Sequence, residues 1–242
     1  MNPKHIVDNR MGRLFNASAL ALAIFVASAS SAIAGQSEDL ILTIPEGAAK
    51  PASLSADVAK WRGSLGNGDV VYVDSLKREQ PSGFGSMVVL NFDSHDELAA
   101  WKKANAKSLA APFQARETDV LTEGGKAPAP GTKPVYKISY YKPTASREAI
   151  QAWVDGYLTK YLDVQIEKDI LTRYGFYLED GQDGRLVLVL EYKDAKTEHE
   201  AEPIKAAASD AIAKVNKEYA RQAELKESLR TTQSWTLAVP AK

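Results

Sequence analysis

Two polar residues interrupt two of the most apolar stretches of the chain, and they are where chemistry is to be looked for first. Glu191 lies in residues 184–194 (GRLVLVLEYKD), where the seven residues from Leu186 to Tyr192 hold a single charge, and Asn91 lies in residues 86–92 (SMVVLNF). An ionised carboxylate cannot be buried alone; it needs a partner or a wet cavity. In a cavity with apolar walls, desolvation disfavours its charged form and suits it to general acid or base work. Glu191 is thus the candidate catalytic residue.

Strand alternation sets its company. Glu191 alternates with Leu190 and Tyr192, and Asn91 with Leu90 and Phe92, so the two share a face with Met87, Val89, Val187 and Val189. One carboxylate and one amide among apolar walls is the composition of a small-molecule pocket. Two plainer arrangements use the same residues: both sit near a strand end in water, or Glu191 pairs with Arg173 or Arg185. Tyrosine is concentrated in the second half, at Tyr136, Tyr140, Tyr141, Tyr157, Tyr161, Tyr174, Tyr177 and Tyr192. Several phenols lining one cavity suit an aromatic or amphipathic ligand, and core packing with hydroxyls at the surface accounts for them as well. Tyr140 and Tyr174, with Asn91 and Arg173, are the candidate ligand-binding residues.

Other chemistries are poorly supplied. The chain has no cysteine, which rules out disulfides, thiolate metal sites, covalently attached haem c and a lipid-modified N-terminal Cys. Only His95 and His199 follow residue 34, each in the first turn of an expected helix, so no metal site is expected. There is no G-x-S-x-G, no H-E-x-x-H and no phosphate-binding glycine loop, which argues against serine or metal hydrolysis and nucleotide chemistry. No basic patch recruits nucleic acid.

The elements that must position these residues read in two rounds. Residues 184–194 are too apolar for a strand with one face in water, so they form a central strand covered on both sides. In the first round, residues 39–44 make a strand and 56–65 a helix, with Val58, Trp61 and Leu65 at helical spacing behind a cap at Ser53 to Ser55. Strands at 70–77 and 86–92 follow, then a helix opened by a Ser94/Glu97 capping box and carrying Leu98 and Trp101, then a strand at 115–121. Residues 123–133 (EGGKAPAPGTK) hold no large apolar residue and read as a linker. The second round has a strand at 135–142, and a helix capped by Ser146 that places Ile150, Trp153, Val154, Tyr157, Leu158, Tyr161 and Leu162 on one stripe. A strand within 170–178 and the organising strand come next. Thr197 and Glu200 offer another capping box, a long helix runs from Ile204 to about Arg230, and a strand at 235–239 closes the chain.

Each round is βαββαβ, the ferredoxin-like split βαβ unit, in which two helices cover one face of a four-stranded antiparallel sheet. The fold class is therefore α+β. Superimposing Phe92 on Tyr192 aligns Val89 with Val189, Leu90 with Leu190 and Asn91 with Glu191, which points to a duplication. The domains read as a leader over 1–34, a first unit over 35–123, a linker over 124–133 and a second unit over 134–242.

The leader has its own pattern. Lys4, Arg10 and Arg13 precede an apolar run over 17–27 and small residues ending at Ala34, the layout of a secretory signal peptide cleaved after Ala34. As a membrane anchor the run is too short, about half of the ~20 residues a span needs. Translation from Met1 and from Met11 both leave this signal intact. Removing 1–34 takes three basic residues and one acidic one, leaving 27 basic against 30 acidic. The mature chain is expected to be periplasmic or secreted, with no membrane anchor.

MVVLNFDSHDELAAWKKA and the later RLVLVLEYKDAKTEHEAEPIK resemble the third strand and second helix of the dimeric α+β barrel superfamily, which includes NIPSNAP proteins, antibiotic-biosynthesis monooxygenases and stress-responsive barrel proteins. The resemblance implies two ferredoxin-like sheets packed face to face as a barrel, which a tandem chain can build internally or a homodimer can build between chains. It also implies a range of functions, from cofactor-free oxygenases and isomerases to haem enzymes. Chlorite dismutase-like enzymes share the two-unit layout, yet no histidine lies on the helix from Ser146 to Leu162, so no cofactor is expected and haem is disfavoured.

Three functions follow as expectations. The first is a protein binding a small apolar or aromatic molecule between its two sheets. The second is a cofactor-free enzyme of monooxygenase or isomerase type using Glu191 as general acid or base. The third is a structural or interaction protein whose barrel is solid.

Overall fold

The computed structural model describes residues 38–65, 70–76, 83–109, 112–126, 128 and 131–241. The expected leader lies outside them, as do the turn at 66–69 and part of the expected linker. The first half comprises β1 (Glu38–Ile44), α1 (Leu54–Ser64), β2 (Val70–Ser75), β3 (Ser86–Phe92), α2 (His95–Asn105) and β4 (Gln114–Gly125). The second comprises β5 (Val135–Pro143), α3 (Arg147–Trp153), a π-helical turn (Val154–Leu158), α4 (Thr159–Glu167), β6 (Leu171–Glu179) and β7 (Leu186–Tyr192). It continues with α5 (Ala195–Glu200), α6 (Glu202–Val215), α7 (Lys217–Glu224), α8 (Lys226–Leu229) and β8 (Arg230–Pro240).

The eight strands close into one barrel in the order β1-β3-β2-β8-β5-β7-β6-β4, every neighbour antiparallel. Each half keeps the split βαβ order, β4-β1-β3-β2 and β8-β5-β7-β6. At both seams the last strand of one half pairs with the second strand of the other: β8 with β2, and β4 with β6. Both seams lie within one chain, so no second copy is needed to close the barrel, and the described residues belong to one compact unit. The strand β4 continues through Gly124 and Gly125, inside the stretch read as linker.

Alternation sorts each strand between two cores. In β7 every residue is buried: Val187 and Val189 point into the barrel, while Leu186, Leu188, Leu190 and Tyr192 lie under the second half's helices. β3 repeats this a hundred residues earlier, with Met87 and Val89 inside and Val88, Leu90 and Phe92 under α1 and α2. The uniformly apolar sequence hides a division between two faces. An eight-stranded barrel is just wide enough for its side chains, and in β7 the two valines go in while the leucines and Tyr192 go out. Edge-to-face contacts of Trp61 with Trp101 and Phe113, and of Trp101 with Phe92, at 5.5–6.2 Å, pin α1 and α2 to their sheet. Such pairs add about 0.5–1.5 kcal/mol each beyond the area they bury.

The helices depart from the sequence reading at their ends. Ser94 accepts the Glu97 amide at 3.3 Å as expected, and Glu97 reaches back to the Asp93 amide at 2.9 Å. Ser53 makes no side-chain cap on α1, because its backbone is already helical. The cap before α5 is Asp194, accepting the Thr197 amide at 2.7 Å, rather than Thr197 itself. The long helix from Ile204 is broken at Asn216, whose extended backbone stops α6 while its side chain caps α7. The helix after Ser146 carries the π-turn at Val154–Leu158, where the Gln222 side chain packs against Gly156. Among the described residues, no helix is long and apolar enough to cross a membrane.

Candidate functional site: a cavity at one end of the barrel

The barrel interior is not filled evenly. At the end where β5 finishes, Phe84 and Tyr140 meet edge to face at 6.4 Å, and Arg185 stacks 4.4 Å over the Tyr140 ring while pairing with Glu179 at 2.7 Å. That end is plugged. At the other, Val71, Val89, Val189 and Gly175 supply only slim groups, and a cavity of about 260 Å³ remains. Its polar lining is Asp39, Asn91, Glu123, Arg173 and Glu191, with Tyr136, Tyr174 and Tyr177 among them, so both halves contribute. Glu123 and Gly125 are exposed and form the mouth.

Register places each group. Asp39 of β1 lies opposite Asn91 of β3, and Tyr136 of β5 opposite Glu191 of β7. Two irregularities bring in the rest. The β4–β6 register shifts between Val120 and Thr122, so that Leu121 turns outward and Glu123 inward, opposite Gly175. The β6–β7 register shifts between Leu171 and Arg173, so that Leu171 stays under the helices while Arg173 faces Glu191. Bulges re-aim side chains in this way. Gly175 is needed beside them, because a Cβ there would lie 1.9 Å from the Tyr177 hydroxyl.

Glu191 is 1 % exposed and held on both oxygens. Arg173 donates to Oε2 from Nε at 3.2 Å and from Nη2 at 2.8 Å, and the Thr172 hydroxyl donates to Oε1. The Arg173 pairing anticipated as one plain alternative is therefore present, inside the cavity wall; Arg185 serves Glu179 instead. Burial, then the Glu191 charge, push the Tyr136 phenol well above the ordinary tyrosine range, with Arg173 opposing. Asn91 donates from Nδ2 to Asp39 at 2.9 Å and to Glu123 at 3.2 Å.

Of the residues singled out in the sequence, Asn91, Arg173, Tyr174 and Glu191 come together here. Tyr174 is among the lining residues, but its side chain lies in the core under the helices and donates its hydroxyl to Asp163 of α4 at 2.6 Å. Tyr140 does not line the cavity; it lies in the plug at the far end. Asp39, Glu123, Tyr136, Tyr177 and Gly175 were not picked out as site residues. The glycine within a strand and the register partner of Asn91 were the available signals.

Outside the cavity, Glu38, His95 and Glu117 bring one ligand atom each within 4.8 Å of one another. Each already has a partner in the protein: His95 Nδ1 lies 2.8 Å from Glu38, and Lys102 pairs with Glu117. A haem does not fit the end cavity, which has no histidine in its lining and is too small for a porphyrin.

No family model matches the sequence, and no curated protein does. Among solved structures, a protein from Lactobacillus acidophilus named as a candidate monooxygenase superimposes with a TM-score of 0.52 at 7 % identity, over 85 % of this chain and 93 % of that one. The fold is that of the α+β barrel proteins. An anthrone oxidase-like protein (TM-score 0.49, 8 % identity, 86 % and 92 % covered) is also similar. So is a ferredoxin-fold protein from Listeria monocytogenes described as related to antibiotic biosynthesis monooxygenases (0.45, 10 %, 86 % and 96 %). At these identities the likeness concerns the fold, and the α+β barrel of this chain is built from tandem halves.

Proposed function

We propose that this protein binds a small aromatic molecule in the end cavity between its two ferredoxin-like halves, and does so in the periplasm or outside the cell after cleavage near Ala34. The observation that carries the reading is the cavity itself: about 260 Å³, lined by valines and tyrosines and edged by a few polar groups from both halves. Buried polar groups that converge on unfilled space are the usual layout of a ligand site. The enzyme reading, with Glu191 as acid or base, has less support, because the Glu191 oxygens are already engaged by Arg173 and Thr172. A closed single-chain barrel favours a monomer as the working unit.

The test is native mass spectrometry of the mature protein purified from its own cell envelope. A retained small organic mass on a chain beginning at Gly35 is the expected result. A chain that keeps residues 1–34 refutes the export reading. A chain that is bare and also takes up no aromatic probe refutes the binding reading. Glu191→Gln separates the enzyme reading, since a proton-transferring carboxylate loses turnover far more than it loses stability.

A further inference from the structure

How large a ligand the cavity takes, and which residue sets the limit, follow from the layers of the barrel interior, an inference that rests on the binding reading above. Val71, Val89, Gly175 and Val189 face the cavity, and two residues further in along the same strands stand Val73, Met87, Tyr177 and Val187. Val73, Met87 and Val187 are wholly buried and outside the lining, and Phe84 and Tyr140 fill the far end of the same core. The floor is therefore solid. Tyr177 belongs to it by register, opposite Val187, yet it also lines the cavity. Its side chain leans back along β6 and sets its hydroxyl over Gly175, on the spot a Cβ would occupy there. Gly175 leaves the room and the Tyr177 phenol takes it.

The polar part of the lining is bonded within the protein. Asn91 donates to Asp39 and Glu123, Arg173 and Thr172 donate to Glu191, and Asp39, Asn91, Glu123 and Arg173 each have a further interaction besides. None of these groups waits for a charge from a ligand, so recognition falls to the apolar wall. We infer that the ligand is a single uncharged ring with a short substituent, and that Tyr177 is the residue that fixes this size. At the packing density of protein interiors, a volume of about 260 Å³ holds about ten non-hydrogen atoms. A longer molecule of the same width has to push the Tyr177 phenol off Gly175 or leave its far end in water. The first disturbs a packed core and the second forfeits burial.

The experiment is calorimetric titration of the intact chain with para-ethylphenol and para-phenylphenol, which share the phenol head and differ in the length of the para substituent. A site without a depth limit binds para-phenylphenol more tightly, since affinity rises with the apolar area buried. The opposite order is expected here, with para-ethylphenol preferred by about tenfold or more. Tyr177→Leu keeps an apolar floor and clears the space over Gly175, and it is expected to cut that preference by at least about fivefold. Binding of para-phenylphenol as tightly as para-ethylphenol by the unmodified chain overturns the inference while leaving an aromatic-binding cavity in place. A folded Tyr177→Leu with an unchanged preference overturns it as well. Should Tyr177→Leu fail to fold, Val71→Phe, at a half-buried position of the wall, takes its place: it is expected to weaken para-ethylphenol by about tenfold, and undiminished binding overturns the inference. Failure of both probes to bind the unmodified chain overturns the binding reading, and this inference with it.

Discussion

Replacing Arg173 by Met tests whether Glu191 is as enclosed as its surroundings imply. The substitution keeps most of the side-chain volume and removes the charge. It strips both bonds from Glu191 Oε2 and leaves a carboxylate, 2 % exposed, held only by the Thr172 hydroxyl and the neighbouring Tyr136. Breaking a buried pair by deleting one partner costs about 3–5 kcal/mol, because the remaining charge has lost its compensation. The adjoining cavity can admit water, which points to the lower end, about 3 kcal/mol. For a chain of this size that corresponds to a fall in Tm of roughly 6–12 °C. Urea unfolding followed by tryptophan fluorescence measures it, with the double variant Arg173→Met/Glu191→Met as control. The double variant is expected to recover most of the loss, since an apolar pair of similar volume often replaces a buried ion pair at little cost. A loss below about 1 kcal/mol in the single variant, or no recovery in the double, would refute the argument that Glu191 is shielded from bulk water.

Four further outcomes follow from the same geometry. Gly125→Ala places a side chain at φ +91° with its Cβ 2.2 Å from the Thr172 carbonyl, so a loss of at least about 2 kcal/mol is expected by chemical denaturation, and a neutral result would place the bulged β4–β6 seam differently. Arg230 is buried with Nε and Nη1 lacking hydrogen-bond partners, its guanidinium stacked 3.6 Å over the Tyr141 ring; in contrast to Arg173→Met, Arg230→Met is expected to change stability by no more than about 1 kcal/mol in either direction. Asn91→Asp turns a donor to two carboxylates into a third carboxylate and is expected to cost about 2–3 kcal/mol at neutral pH, with the loss shrinking in acid as the crowded carboxyls protonate; a pH-independent cost would point to packing instead. The hydrogen bond that His95 Nδ1 donates to Glu38 raises the His95 pKa, so the pair stabilises the fold below the ordinary imidazole range and that contribution fades as pH rises through the raised value; NMR titration should show His95 moving back down in Glu38→Gln.

The fold was legible because its two strongest signals are local and repeated. Residues 86–92 and 186–192 carry the same alternation a hundred residues apart, and each is followed by a polar cap, so the βαββαβ pattern can be written down twice from the chain alone. The face shared by Asn91, Glu191 and the valines was also legible, because alternation within an unbroken strand obeys simple parity. The inward turn of Glu123 was not, because parity fails at a bulge. Glu123 follows Val120 by three residues and should face away from it; the extra residue Leu121 reverses that, and no composition signal marks the place. The glycines after Glu123 suggested a linker, whereas in the barrel they let β4 run close beside Tyr174 and Thr172. Tyr140 and Tyr177 are equally apolar neighbours of alternating strands, and only the closure of the barrel decides that one plugs an end and the other borders the cavity.

Closure within a single chain also explains why the site is lopsided. Two identical chains forming such a barrel would present every polar group twice, related by a two-fold axis, and a ligand without that symmetry would meet a redundant surface. Here the corresponding positions Asn91 and Glu191 differ, an amide against a carboxylate, and so do their register partners Asp39 and Tyr136, a carboxylate against a phenol. The seams differ too. The β4–β6 seam runs from Thr118 to Gly125 and bends Glu123 into the cavity, while the β2–β8 seam is shorter among the described residues, with Val73, Asp74 and Ser75 in register with the end of β8 and backbone hydrogen bonds from Leu76 to Leu237 and from Ala241 to Tyr72 beside them. A covalent link between halves frees each from having to be its own complement, so one end of the barrel can be packed solid around Tyr140 while the other keeps a small, charged, asymmetric space.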